Sequence, residues 1–488
     1  MLLRMVKEAR KGYITGTDNQ AHYQLNLLCV PKKDNTTKLM TNIRVARHGS
    51  FARGYSVPIN KKIDRDKCKI PTIPNIPKYI NKLIKFNYVS LRDLKDAFRQ
   101  MLLAREDTGF IQYCLFGLRF TDNRQAYGVA SAAANCQHFA QILIWICENK
   151  YLSPTQRDRL LVHIDDFLIA SVSENEAIEM ANRFDQMCDD LNVTVSHEKD
   201  ETAIRVGVVH GFGFNLITKF VNIPDIKYHE LMRAIALILK FRYLEGSAFE
   251  SLCGKLMHWS QLRKPAKVLC YRMLGFIFKH IRKNPKYKRH IFWVHDQIAQ
   301  DLRFWQNYAY YMRSVSMQSV LNNPSITITA ATDASSFGGG MIVGPHYAKY
   351  RMSDVTNRFG INHKQMHINK QEAHAVIMLL HNFRKELTGR NVLLYIDNQP
   401  VRFCIFKYWS GSADLMEYIQ EIVLLMCVYN IGLKVHYIPS DYNTLPDALS
   451  RFEMNKFHQA VYDYNLSFDD HETVLEYYPI LKLMRTGL

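Results

Sequence analysis

Residues 161–171 read LVHIDDFLIAS, an apolar run with two adjacent carboxylates, Asp165 and Asp166, at its centre. A strand core cannot hold an unpaired carboxylate without losing several kcal/mol or its charge. The pair therefore either tops a surface turn or meets a cation. Two further Asp pairs serve as internal controls. Asp189-Asp190 in MCDDLN and Asp469-Asp470 in SFDDHE read as solvated helix or loop positions. Only the first pair is flanked on both sides by Leu, Val, Ile and Phe.

A third carboxylate, Asp93 in NYVSLRDLKDAF, stands just after a strand-like segment. Read alone it serves equally as a helix N-cap. Set beside Asp165 and Asp166 on a neighbouring strand, it completes a group of three that needs cations. Mg²⁺ takes carboxylates together with substrate phosphates, and a pair of such ions suits in-line phosphoryl transfer.

A second set lies downstream. TITAATDASSFGGGMIVG gives Asp333 after a strand, INKQEAHAVIMLL gives Glu372 at a helix start, VLLYIDNQPV gives Asp397 at a strand end, and IPSDYNTLPDALSR gives Asp447 at a helix opening. Each alone reads as a turn, a first-turn acid or an N-cap. Together they make a divalent-metal cage of the kind that cuts a phosphodiester with water.

With 488 residues, the chain is too long for one ordinary core. Its 63 Lys and Arg against 45 Asp and Glu give +18, which favours polyanion partners, nucleic acid first. No apolar run long enough to span a bilayer and no basic amphipathic tail supports a membrane partner. The ten cysteines include no CxxC pair, which fits a reducing compartment, and the charged N-terminus does not read as a secretion signal. An intracellular protein, cytoplasmic and/or nuclear, is expected.

Along the chain, residues 88–220 mix strands (NYVSL, LLVHI, NVTVS) with helices (ASAAANCQHFAQILIWICEN, and 174–191 with Ile178, Phe184, Met187 and Leu191 at helical spacing). Residues 226–315 read as nearly all helix. Strand–helix alternation then runs to about 453, and 454–488 has no clear assignment.

In this order, the motifs resemble those of reverse transcriptases. DLKDAF (93–98) resembles the first palm motif, AYGVASAAANCQ (126–137) the second, HIDD (163–166) the [FY]xDD box, LNVTVSHEKD (191–200) the lysine-bearing segment and HGFGF (210–214) the primer grip. CVPKKD and RVARHGSFARGYSVPIN resemble the fingers of the DIRS-like and hepadnavirus-like branch. LCGKLMHWSQL and DLRFW resemble thumb and connection. The second set is similar to a retroelement ribonuclease H, with TDAS, the DN box and the ending DALSR.

The resemblance implies an α+β right-hand polymerase (1–220 fingers and palm, 221–320 helical thumb and connection), an α/β RNase H-like domain (321–453), and a tail of unassigned role (454–488). Asp93, Asp165 and Asp166 in one site, and Asp333, Glu372, Asp397 and Asp447 in the other, are the implied catalytic residues, each site holding two Mg²⁺ or Mn²⁺ ions. Lys32, Lys33 and Arg44 would hold triphosphate, Phe98 would exclude a ribose 2′-hydroxyl, and Tyr127, Gly128 and Gln137 would lie along nucleotide and template. Lys199 would protonate pyrophosphate, Gly213 and Phe214 would meet the primer end, and Ser335, Asn398 and Asn443 would support the nuclease site. Lys279, Arg282, Lys286 and Arg289 are candidates for a thumb phosphate track.

The implied partners are an RNA template, a DNA primer, RNA–DNA hybrid and dNTPs, with a separate recombinase or integrase and capsid proteins supplied by the element. The sequence departs from the family at His163, His48, Ala133 and Gln125-Ala126, and no assisting histidine sits at the usual nuclease spacing, His436 being one place off. Two rivals stand beside this reading. A domesticated copy would bind nucleic acid without catalysis, but all seven acids are present. An RNA-directed RNA polymerase is disfavoured by Phe98 and by the second set of acids.

Overall fold

The computed structural model describes residues 2–17, 25, 27–33, 40–47, 59–63, 75–115, 117–321, 327–354 and 366–469. The chain forms two compact units, Met1–Val206 and Gly207–Leu488.

The first unit is built on a four-stranded antiparallel sheet ordered Leu160–His163, Asp166–Ser171, Tyr88–Asp93, Glu201–Ile204. The strand Asp166–Ser171 is exposed only at its first residue. Its apolar run is covered by helices Ala132–Ile146 and Glu174–Asp190, which bring Cys136, Ala140, Leu143, Met180, Phe184 and Met187 onto Phe167 and Ile169. Ser173 starts the second helix, its hydroxyl accepting from the Glu176 amide at 3.3 Å.

The buried stripe of that helix is Ala177, Met180, Ala181, Phe184, Met187 and Cys188, whereas Ile178 and Leu191 of the expected stripe are exposed. Small residues let the helix lie close to the sheet and rotate those two branched side chains outward. NVTVS is likewise not a strand. It contributes only the isolated bridge Val195–Leu94, and the fourth strand forms after it. A separate ribbon pairs Leu27–Lys33 with Met40–Arg47.

Arg99, fully buried, ties the N-terminal helix to this core. It donates to Glu8 at 2.7 Å and Asp122 at 2.8 Å, a buried cation matched by two carboxylates.

In the second unit, helices Asp225–Phe241, Gly246–Trp259, Val268–Phe276 and Asp296–Met312 form the helical segment. They are interrupted by a short ladder, Tyr243–Glu245 with Ile291–Trp293, which the all-helix expectation lacked. Lys279, Lys286 and Arg289 are exposed, while Arg282 pairs with Glu250 at 3.0 Å.

A five-stranded sheet follows, ordered His346–Arg351, Gly338–Val343, Thr327–Ala334, Asn391–Ile396, Gly432–Tyr437, with the last two joints parallel. Helix Ile368–Asn382 is buried from Gln371 through His381, on every side, and contacts both the sheet and helix Ala413–Val428. Helical segment and sheet domain share a core: buried Asp301 accepts from Gln420 at 2.6 Å and pairs with Arg272 at 3.2 Å.

The stretch left unassigned begins with helix Met454–Asp463, whose Phe457 packs on Tyr347 and Leu449; residues 470–488 lie outside the described ones. The expected class, an α+β half followed by helices and an α/β RNase H-like sheet, is the architecture found. Among the described residues no helix is long and apolar enough to cross a membrane.

Candidate active sites

Asp93 and Asp166 are direct cross-strand partners, and Asp165 occupies the two-residue turn between strands Leu160–His163 and Asp166–Ser171. One carboxylate oxygen from each of the three lies within 4.8 Å of the others. The turn is strained, since Ile164, a β-branched residue, has φ 61°. It is held in place from two sides. The Ile164 amide donates to Gln137 Oε1 at 2.8 Å, and the Leu94 amide donates to the Asp165 carbonyl at 3.1 Å. Gln137 Nε2 also reaches the Val162 carbonyl at 3.4 Å, so both ends of its amide serve the turn.

Lys199 Nζ lies 2.6 Å from Asp93 Oδ2. Burial pulls the Lys199 pKa down, but the Asp93 hydrogen bond and the charges of all three carboxylates outweigh it and raise the pKa above the usual value. Asp166 is pushed up to about 7, first by desolvation and then by Asp165 and Asp93, with Lys199 pulling the other way. An Asp166 carboxyl raised by two neighbouring carboxylates describes a site short of positive charge, which a divalent cation matches.

The Phe98 and Tyr127 rings meet tilted at 60° with centroids 4.8 Å apart. Gly128 takes φ 96°, and buried Asn60 clamps its loop, donating to the Gly128 carbonyl and accepting from the Ala130 amide. Lys32, Lys33 and Arg44 stand on the paired ribbon; their side chains lie outside the described ones, as does His48 entirely. His163 is half-buried, and burial lowers its pKa. Phe214 is buried in a hairpin of the second unit, and Gly213 packs so tightly on Asn222 that a Cβ would fall 2.3 Å from its Oδ1.

In the second unit, Asp333 at a strand end, Glu372 in the first turns of its helix and Asp397 after the neighbouring parallel strand bring one oxygen each within 4.8 Å. Asp447 is not in that group. Its Oδ1 is 2.7 Å from Arg451 Nε at the rim. Burial raises Asp333 to about 7, with Ser450 opposing and Asp397 and Asp447 adding. Burial followed by Asp333 and Asp397 raises Glu372 to about 9, and its buried Oε2 has no hydrogen-bond partner. An orphaned buried carboxylate oxygen among like charges fits a metal ligand.

Helix Thr444–Ser450 reaches the site because strand Gly338–Val343 is glycine-rich. A Cβ on Gly340 would stand 2.3 Å from the Pro446 carbonyl. Ser450 Oγ then donates to Asp333 Oδ2 at 2.6 Å, while Ser335 Oγ donates to the Ser450 carbonyl at 2.9 Å. Asn443 donates to the Thr332 carbonyl, and Asn398 caps helix Gln399–Lys407 and donates to Asn369. His436 is exposed on the last strand beside Tyr395, outside the carboxylate group. Ser450, Arg451, Asn60 and Asn369 were not singled out from sequence. Only the first two carry a signal, lying three and four residues after Asp447 on one helix face.

No family model matches the chain. Over 413 residues it is 20% identical to the retrovirus-related Pol polyprotein from transposon 297 of Drosophila melanogaster, covering 83% of this chain. The chain spans 35% of that polyprotein's length. Among solved structures it is similar to foamy viral protease-reverse transcriptase dRH in complex with double-stranded DNA, at 11% identity and TM-score 0.46, covering 88% of this chain and 68% of that one. A foamy viral protease-reverse transcriptase without the dRH designation, in complex with RNA/DNA hybrid, aligns at 13% identity and TM-score 0.44, covering 89% of this chain and 52% of that one.

Proposed function

We propose that the chain is an RNA-directed DNA polymerase with ribonuclease H activity, encoded by a retroelement of the DIRS-like kind and working in the cytoplasm or nucleus. The carrying observation is the cross-strand pair Asp93–Asp166 with Asp165 at the hairpin tip, three carboxylates within 4.8 Å at the end of an antiparallel sheet. In this reading residues 1–220 are fingers and palm, 221–320 thumb and connection, and 321–453 the nuclease.

Asp93, Asp165 and Asp166 would hold two Mg²⁺ or Mn²⁺ ions, which supply positive charge to the attacking hydroxyl and the triphosphate. The primer 3′-hydroxyl attacks the α-phosphate of a dNTP and pyrophosphate leaves. Lys199, kept protonated by its carboxylate neighbours, donates a proton to the leaving group. Lys32, Lys33 and Arg44 bind triphosphate, Phe98 braced by Tyr127 excludes a 2′-hydroxyl, and the Gly128 loop follows the nucleotide. Gln137 positions the hairpin.

Asp333, Glu372 and Asp397 would hold the ions of the nuclease, with Asp447, paired with Arg451, as the further ligand the resemblance implies. The surplus of +18 grips hybrid through its phosphates, with steep salt dependence.

Primer extension on an RNA template with dNTPs and Mg²⁺, wild type against Asp165→Asn, tests the polymerase. Extension abolished in the variant supports it. A folded wild type that binds hybrid without extending it points to a nucleic-acid-binding scaffold instead. Loss of hybrid cleavage in Glu372→Gln, with extension kept, tests the nuclease.

A further inference from the structure

A cavity of about 860 Å³ opens at the starting ends of strands Asn391–Ile396 and Gly432–Tyr437, the end of the sheet opposite Asp397. Among the described residues three cations line it, Arg263, Lys264 and Lys434, and no carboxylate does. Arg263 is the informative one. One of its terminal nitrogens donates to Asn430 Oδ1, and its Nε is buried without a hydrogen-bond partner. Asn430 is itself fixed, at φ 55°, with its Nδ2 donating to Ser319 Oγ at 2.6 Å. Burial lowers the Arg263 pKa, with the Cys427 thiol opposing it. A guanidinium this enclosed is ordinarily matched by an anion.

The rest of the wall is unlike a bare anion site. Tyr408, Met426, Val392 and Leu433 give it an aromatic and apolar side. Its volume falls in the range of small-molecule sites, roughly 300–1,000 Å³. We infer that this cavity binds a nucleotide, its phosphate on Arg263 and Lys434 and its base on the side of Tyr408. The nucleotide is either free or the 5′-phosphorylated end of a strand.

The full chain in EDTA, where neither carboxylate site holds its metals, is probed by hydrogen exchange with ADP and, separately, with 5′-phosphorylated oligothymidylate. Binding slows exchange at residues 262–265 and 430–434. Lys434 is exposed, so Lys434→Gln keeps the fold and weakens binding about tenfold, the cost of one charged hydrogen bond. Protection by ADP alone assigns a free nucleotide, and protection by the oligonucleotide alone a strand end. No protection with either probe, or unchanged affinity in both Lys434→Gln and Lys264→Gln, overturns the inference. The readout is local and free of catalysis, so it stands or falls apart from the polymerase reading.

Discussion

Gln137 Oε1 accepts a 2.8 Å hydrogen bond from the amide of Ile164, the residue immediately before Asp165. A side chain on one helix thus fixes a strained backbone turn that carries two carboxylates. Replacing it with Ala leaves that amide unpaired at a positive φ. Gln137→Ala is expected to lose about 1–3 kcal/mol of stability in the first unit. Its kcat for primer extension should fall more than its KM for dNTP changes, and hybrid cleavage should stay near wild type. Denaturant titration with steady-state kinetics checks this. A KM effect alone would mean that Gln137 touches nucleotide.

Metal and pH should act on stability together. Folding raises Asp333 to about 7 and Glu372 to about 9, whereas an unfolded carboxylate titrates near ~4. The folded chain therefore binds more protons than the unfolded one between these values. Stability from these groups is full below about pH 4 and is lost as pH rises through their folded pKa values. In EDTA, Glu372→Gln should gain Tm relative to wild type as pH is raised from about 5 to about 9. Saturating Mg²⁺ should reverse the order, because the cation favours the ionised acids. Scanning calorimetry at several pH values reads both effects, and a Tm difference flat with pH in EDTA contradicts the charge-poor site.

Ser450 donates to Asp333 and so holds that carboxyl lower than burial alone would. Ser450→Ala removes the donor, and the Asp333 pKa should rise further. The acid limb of hybrid cleavage against pH should then move to higher pH, with the limb of primer extension unmoved. An unshifted cleavage profile would show that Ser450 does not act through Asp333.

Gly340→Ala places a methyl group against the Pro446 carbonyl, 2.3 Å from the ideal Cβ. The helix bearing Asp447 and Ser450 must back away, at about 1–3 kcal/mol for an overpacked contact. Hybrid cleavage should drop sharply while primer extension persists. Retained cleavage would mean that the helix yields without disturbing Asp333.

The carboxylate clusters were legible because acids at strand ends break the apolar pattern around them. Asp165 and Asp166 stand out in LVHIDDFLIAS for this reason, and so do Asp333 and Asp397. The order of strands and helices around them followed from periodicity. Legibility failed where packing chose among equivalent options. Ile178 and Leu191 have helical spacing, yet the smaller Ala177 and Ala181 face the sheet. NVTVS has β-branched residues, yet it makes a single bridge. Asn60 clamps a loop 68 positions away in sequence, a pairing no local pattern encodes. Asp447 looks like any other ligand in sequence, and only the structure reveals its engagement with Arg451.

The contact between Asp301 and Gln420 bears on how such chains are assembled over evolutionary time. Burial lifts the Asp301 carboxyl to about 7, against the pull of Arg272 and Gln420, so this acid depends on partners from the helical segment and from helix Ala413–Val428. Exchange of the sheet domain for one without Gln420 would leave Asp301 buried beside Arg272 alone. The helical segment and the sheet domain therefore constrain one another through this contact, and substitutions at 301 and 420 should track one another across descendants of this chain.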